Sequence, residues 1–204
     1  FNIFSRSSRA NFSLLGMPSE NDWILYAPYS DKTLIRNVLA YKLSENLGHY
    51  APRNRFCELI LNDEYQGVYV LIEKIKRDKN RVDIAKLDSN EVSGDDLTGG
   101  YIIKFDKLTG NTCENTSNFF LNIEYPNCDN IVFEQKEYIH EYFNSFEESL
   151  NSTRFTDSIE GYKSFIDVNS FIDYFIINEI SKNVDAYYLS TFMYKDKDSN
   201  NGKL

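Results

Sequence analysis

The sequence predicts an α+β fold: an antiparallel sheet packed with several helices. Three observations predict it. Two apolar, β-branched runs at 56–62 and 67–75 sit close together across a short polar stretch, the pattern of hairpin arms. Two later segments, 135–150 and 167–182, repeat apolar residues with the helical period. Finally, 204 residues that are 42% hydrophobic and 15% aromatic, with only 9 Gly and 4 Pro, suffice for a continuous core and are too aromatic to stay disordered. The expectation is one domain over 1–204.

The elements follow in order. The first 30 residues read as extended and loop structure, with Trp23-Ile24-Leu25-Tyr26 as a strand. A helix is predicted over 31–47: Ser30 or Asp31 can cap it, Leu34, Val38, Leu39 and Leu43 keep helical spacing, and Gly48 suits a left-handed terminus. The hairpin comes next, its arms joined by Asn62-Asp63-Glu64-Tyr65-Gln66, and its second arm reads as buried on both faces. Gly99-Gly100-Tyr101-Ile102-Ile103-Lys104-Phe105-Asp106 reads as a central strand, and the polar stretch 107–130 as an insertion. In 135–150, Tyr138, Ile139, Tyr142, Phe143, Phe146 and Leu150 form one apolar stripe. In 167–182, Asp167 caps, and Phe171, Ile172, Phe175, Ile176 and Ile180 give a broad face expected in the core. The stretch 187–194 reads as a strand and 195–202 as a turn, with Lys203-Leu204 starting a strand that returns along it.

Charge narrows the function. With 22 Lys+Arg against 31 Asp+Glu, the net charge of −9 argues against general nucleic-acid affinity and favours a basic partner or a metal-bridged anion. No apolar run approaches the roughly 20 residues that cross a bilayer. Cys57, Cys113 and Cys128 lack CxxC spacing and nearby His, so a zinc site is not expected. Cys113 and Cys128 can pair in an oxidising compartment, and three unpaired thiols fit the sequence as well.

Several residues are candidates for chemistry. The helix at 167–182 delivers Asp185 to a loop ahead of a strand, a place where an acid can orient a hydroxyl, although Asp is also common in plain turns. Glu73-Lys74 and Lys104 end strands, and either lysine can offer a rigid cation to phosphate; a solvated basic strand end is the alternative for Lys74. Arg36 lies near a helix start and can clamp a phosphate or a structural carboxylate. The loop Ser93-Gly94-Asp95-Asp96-Leu97-Thr98-Gly99-Gly100 has no phosphate-loop spacing and reads as a turn. His49 and His140 lack the context of a metalloprotease or a nucleophilic triad.

Read together, Asn21-Asp22-Trp23-Ile24-Leu25-Tyr26-Ala27-Pro28, Asp31-Lys32-Thr33-Leu34-Ile35-Arg36-Asn37, Tyr65-Gln66-Gly67-Val68-Tyr69, Glu73-Lys74-Ile75-Lys76-Arg77-Asp78, Thr98-Gly99-Gly100-Tyr101 and Ser181-Lys182-Asn183-Val184-Asp185 resemble the CotH family, named for spore-coat protein H. The resemblance runs from about residue 14 to 204. It implies an atypical protein-kinase-like fold, secreted or surface-associated, that uses ATP and Mg2+ or another divalent metal to phosphorylate serines of partner proteins. By the same resemblance Asp185 matches the catalytic-loop acid, Glu73 and Lys74 the charged strand end lining the nucleotide site, and Arg36 the family's Arg-Asn helix start. Ser190 stands where ordinary kinases place a metal-binding Asn, a departure that weakens a metal role there. The family's Trp-Asp segment, with its main metal ligand, is expected beyond Leu204, so the fragment is expected to be C-terminally truncated and weak or inactive alone. A basic, Ser-rich protein is the compatible substrate. A noncatalytic surface, adhesion or spore-coat binding module on the same scaffold is the alternative.

Overall fold

The computed structural model describes residues 4, 5, 8–106 and 121–204. The chain divides into two compact units between Ile75 and Lys76. Both are built from antiparallel strands and helices, which makes the fold α+β.

In the first unit, β1 (Phe4–Ser5) and β2 (Ser8–Arg9) form a two-stranded pair. A three-stranded antiparallel sheet in the order β3-β5-β4 follows, from β3 (Trp23–Tyr26), β4 (Asn54–Leu61) and β5 (Glu64–Glu73). Trp23 anchors the small core beside Met17 and Leu71, and its indole N–H donates to the Glu20 carbonyl at 3.0 Å. The hairpin is tighter than its composition predicts. Asn62 and Asp63 both take left-handed φ, 52° and 65°, which makes a two-residue turn whose twist matches the strands. Glu64, Tyr65 and Gln66 therefore belong to β5. Register then shifts: Leu59 faces Gly67 while Ile60 faces Tyr65, so Gln66 is the extra residue of a bulge. Burial on both faces holds only for residues 70–73.

Between β3 and β4, α1 (Arg36–Asn46) is shorter than the expected 31–47. Leu34 sits at φ 61°, outside helical space, and Asp31 orders the turn ahead of the helix instead of flanking it. The C-terminus matches its reading. Gly48 at φ 90° donates to the Glu45 carbonyl at 3.0 Å while His49 N–H reaches Ser44 at 3.2 Å, the paired bonds of a Schellman cap.

In the second unit, β6 (Tyr101–Phe105) is the centre of a sheet ordered β7-β6-β8, with β7 (Leu121–Tyr125) and β8 (Thr191–Lys195) antiparallel on either side. β7 corrects the reading of 107–130 as a polar insertion throughout, since its last part is a core strand with Ile123 buried. Cys113 lies outside the described residues; Cys128 is disulfide-bonded and Cys57 is a free thiol. The loop at 93–100 contains a short helix, α2 (Gly94–Leu97), and Gly99 follows it where a Cβ would clash with the Lys197 backbone amide. α3 (Phe133–Asn151) buries Ile139 and Phe143 against Tyr101 and Ile103, as its stripe predicts, but Leu150 is exposed and Ser149 takes the buried place.

Three expectations fail at the C-terminal end. α4 (Val168–Ser181) is capped by Asp167, whose carboxylate accepts the Asn169 amide at 3.0 Å, but only Val168 and Phe171 of its apolar face pack against the core, and the rest is exposed. Phe175 is 54% and Ile180 71% exposed, and Asn178 is its one buried residue among those described. Periodicity reports an apolar face and says nothing about what covers it. β8 begins at Thr191, not 187, because Tyr187 (φ 74°) and Ser190 (φ 51°) are left-handed and break extension. Leu204 does not return along β8. Its amide donates to Phe165 at 2.9 Å, its carbonyl accepts Asp167 N–H at 2.7 Å, and its side chain joins the core beside Ile131 and Ile166.

Candidate active site

The loop leaving α4 carries Asp185. Lys182 closes the helix in left-handed conformation, and the buried Asn178 side chain accepts a bond from Asn183 Nδ2 at 2.9 Å. The Asn183 side-chain oxygen in turn accepts the Asp185 amide at 3.3 Å, and Ala186 is buried just beyond. An Asn–Asn relay thus fixes the backbone at Asp185 while its carboxylate stays exposed. Tyr187 braces the other side: its hydroxyl donates to Glu179 at 2.8 Å and its ring stacks on Phe175.

The loop ends at Ser190, whose hydroxyl donates to Asp106 Oδ2 at 3.2 Å. The same oxygen lies 2.8 Å from the Lys104 ammonium, itself over the Phe192 ring. The ladder brings them together, since Lys104 faces Phe192 on β8 and Asn122 on β7, and Asp106 follows β6. Asn122 is 6% exposed; its amide nitrogen donates to the Asp106 carbonyl at 3.4 Å, and its side-chain oxygen has no partner among the described residues.

Two predicted residues, Lys104 and Ser190, therefore meet through a third that the sequence reading passed over. The signal for Asp106 was available: Lys104 and Asp106 are two apart, and side chains of an extended chain at that spacing share a face. Asn122 had no local signal, because its role depends on the β6–β7 register.

The first unit places Arg36, Glu73 and Lys74. Arg36 is the first residue of α1, and its predicted carboxylate partner exists: Asp31 accepts the Arg36 amide at 2.9 Å and stands 3.4 Å from its Nε. The Thr33 hydroxyl first, then the Arg36 amide, hold the Asp31 carboxyl below the ordinary Asp range. Glu73 is fully buried at the end of β5 and bound by Arg53, through the guanidinium at 3.0 Å and the backbone amide at 3.0 Å. Arg53, not considered from sequence, holds this carboxylate. Lys74 follows as an exposed residue.

Among the described residues no three His, Cys, Asp or Glu side chains stand close enough to hold a metal ion by themselves. No described helix is long and apolar enough to cross a membrane. A family model described as CotH kinase protein matches residues 1–204, which spans both units. None of the curated proteins matches the chain.

Proposed function

The chain belongs to the CotH kinase family, and on that premise we propose that its protein is an ATP-dependent serine kinase acting on partner proteins at a spore or cell surface. The observation that carries the reading within the chain is Asp185: an exposed acid on a loop pinned by buried Asn178 and Ala186, five residues ahead of Ser190. An acid used on a protein substrate has to be accessible and held still, and this loop provides both.

Asp185 orients the serine hydroxyl and takes its proton as the new oxygen–phosphorus bond forms and the bond to ADP breaks. Lys74 or Lys104 is the cation for phosphate oxygens, and Arg36, steadied by Asp31, is a candidate for the same role. Glu73 acts by fixing the end of β5 through Arg53. Ser190 and Asp106 form an all-oxygen pair of the kind that fits magnesium, which takes one or two protein oxygens and completes its shell with phosphates and water. When bound, that ion offsets charge on the phosphates. A basic, Ser-rich protein suits the acidic chain as substrate.

The test is calorimetry of ATP with and without magnesium against the native protein, paired with phosphoryl transfer by Asp185→Asn. Magnesium-dependent binding that survives the substitution, with kcat lowered about 10²-fold or more, is expected. Full transfer by the variant removes Asp185 from its role. No nucleotide binding at all replaces the kinase with a noncatalytic surface module.

A further inference from the structure

Asn151 ends α3, and Asn151-Ser152-Thr153 is the acceptor pattern of N-linked glycosylation, an asparagine followed two places on by a hydroxyl residue with no proline between them. So short a pattern arises by chance, and its surroundings have to decide. The helix stops inside it: Asn151 is the last helical residue, and Ser152 leaves in extended conformation, φ −77° and ψ 150°, into a turn. Asn151 and Thr153 are both exposed, and of residues 150–160 only Ser152 and Asp157 are not. Asn151 Nδ2 donates to the Glu147 carbonyl at 3.0 Å. A primary amide carries two hydrogens, so a sugar can replace one while the other keeps the side chain on the last turn of the helix.

We propose that Asn151 carries an N-linked glycan at the exposed end of α3. The co-reactant is a lipid-linked oligosaccharide diphosphate. A bond forms between Asn151 Nδ2 and C1 of its first sugar as the bond from C1 to the diphosphate oxygen breaks; the amide gives up one proton, and the lipid diphosphate leaves with the electron pair. This modification is independent of the kinase reading.

Two further observations support it. Cys128 is disulfide-bonded, and such bonds form in the oxidising compartments through which secreted chains pass, where this transfer also takes place. The same stretch leaves large apolar side chains in water, Leu150 at 49%, Phe155 at 47% and Ile159 at 80% exposure, which gives carbohydrate a surface to shield. The pattern at Asn11-Phe12-Ser13 is placed differently. Phe12 is bonded across to Glu20, Ser13 Oγ donates to the Met17 carbonyl at 2.7 Å, and Asn11 Oδ1 accepts Asn21 Nδ2 at 2.7 Å, so that its side chains are already committed. A third pattern, at 115–117, lies outside the described residues.

The native protein, isolated from its own cells, is treated with a peptide N-glycosidase in 18O-labelled water, and its peptides are read by mass spectrometry. The peptide containing Asn151 is expected to bear a glycan before treatment and an 18O-labelled acid at position 151 afterwards. Asn151→Gln and Thr153→Ala, made in the same cells, should each lose one glycan from the intact mass. Thr153→Ser preserves the acceptor pattern and should keep it, which separates loss of the pattern from a folding defect. An unmodified Asn151 peptide in the native protein overturns the proposal without recourse to any variant. A sugar that persists at position 151 in Thr153→Ala overturns it as well, because transfer to this pattern requires the hydroxyl residue.

Discussion

Lys195 shows how a single residue can reverse its expected address. It lies in what reads as the start of a charged turn, yet its ammonium is fully buried at the end of β8. Three acceptors meet its three donors: the Thr98 carbonyl at 2.6 Å, Asp198 Oδ1 at 2.7 Å and the Asp196 carbonyl at 3.3 Å, with the Tyr142 ring 4.9 Å away. Burial pulls its pKa below 10.5, opposed by Asp198. The same burial raises the phenols of Tyr101, Tyr138 and Tyr142 well above 10, with Asp198 adding to the rise at Tyr138. The signs oppose one another. Lys195 sheds its proton in the folded chain before the unfolded one, so it adds stability as pH climbs toward 10.5. Each phenol ionises first in the unfolded chain, so its contribution, complete below pH 10, is lost above it. Three phenols outweigh one lysine, and stability should fall on the alkaline side of pH 10. Tyr138→Phe should reduce the steepness of that fall by about one proton in urea unfolding followed from pH 8 to 11. An unchanged slope would mean that Tyr138 titrates alike in both states.

At the scale of elements, the signals that proved legible are those written by a few adjacent residues. Asp167 at the start of α4, Gly48 after α1 and the stripe of α3 all rest on contacts within one or two turns. The start of α1 was misread because Asp31 reaches its first amide from five residues away, across the left-handed Leu34. β7 was missed because its pairing with β6 spans a polar stretch, and polarity alone does not exclude a strand. Of the candidate site, Lys104, Asp185 and Ser190 could be read by pattern or resemblance and Asp106 by its two-residue spacing from Lys104, while Asn122 and Arg53 matter through strand register. The Gly48 cap yields a measurable claim. No atom comes within 4 Å of a Cβ built there, so Gly48→Ala adds no clash and pays only for its left-handed φ of 90°. The expected loss is about 1 kcal/mol of stability by denaturant unfolding, with an unchanged m-value. A loss near zero would show that the cap relaxes into an ordinary helix end.

Over the whole molecule the charge is not shared evenly. Residues 1–75 carry eight Lys or Arg and eight Asp or Glu, leaving 14 basic against 23 acidic residues, and the entire −9, in 76–204. The acidic stretch is the one that holds Asp185 and Asp106, whereas Arg36 and Lys74 belong to the neutral one. On the kinase reading proposed above, this division has two consequences. A nucleotide's phosphates meet an unfavourable field in the acidic unit unless a cation neutralises them, which ties nucleotide affinity to magnesium. A basic substrate is drawn to the same field, so its encounter should be accelerated by long-range attraction that salt screens. Association of a Ser-containing, Lys/Arg-rich peptide with the native protein, followed by stopped-flow fluorescence, should slow by about tenfold when salt rises from roughly 0.02 to 0.2 M. A neutral Ser-containing peptide should show almost no such change. Equal salt dependence for both peptides would remove the acidic unit as the element that selects a basic substrate, because attraction to a net charge has to vanish with the charge of the partner.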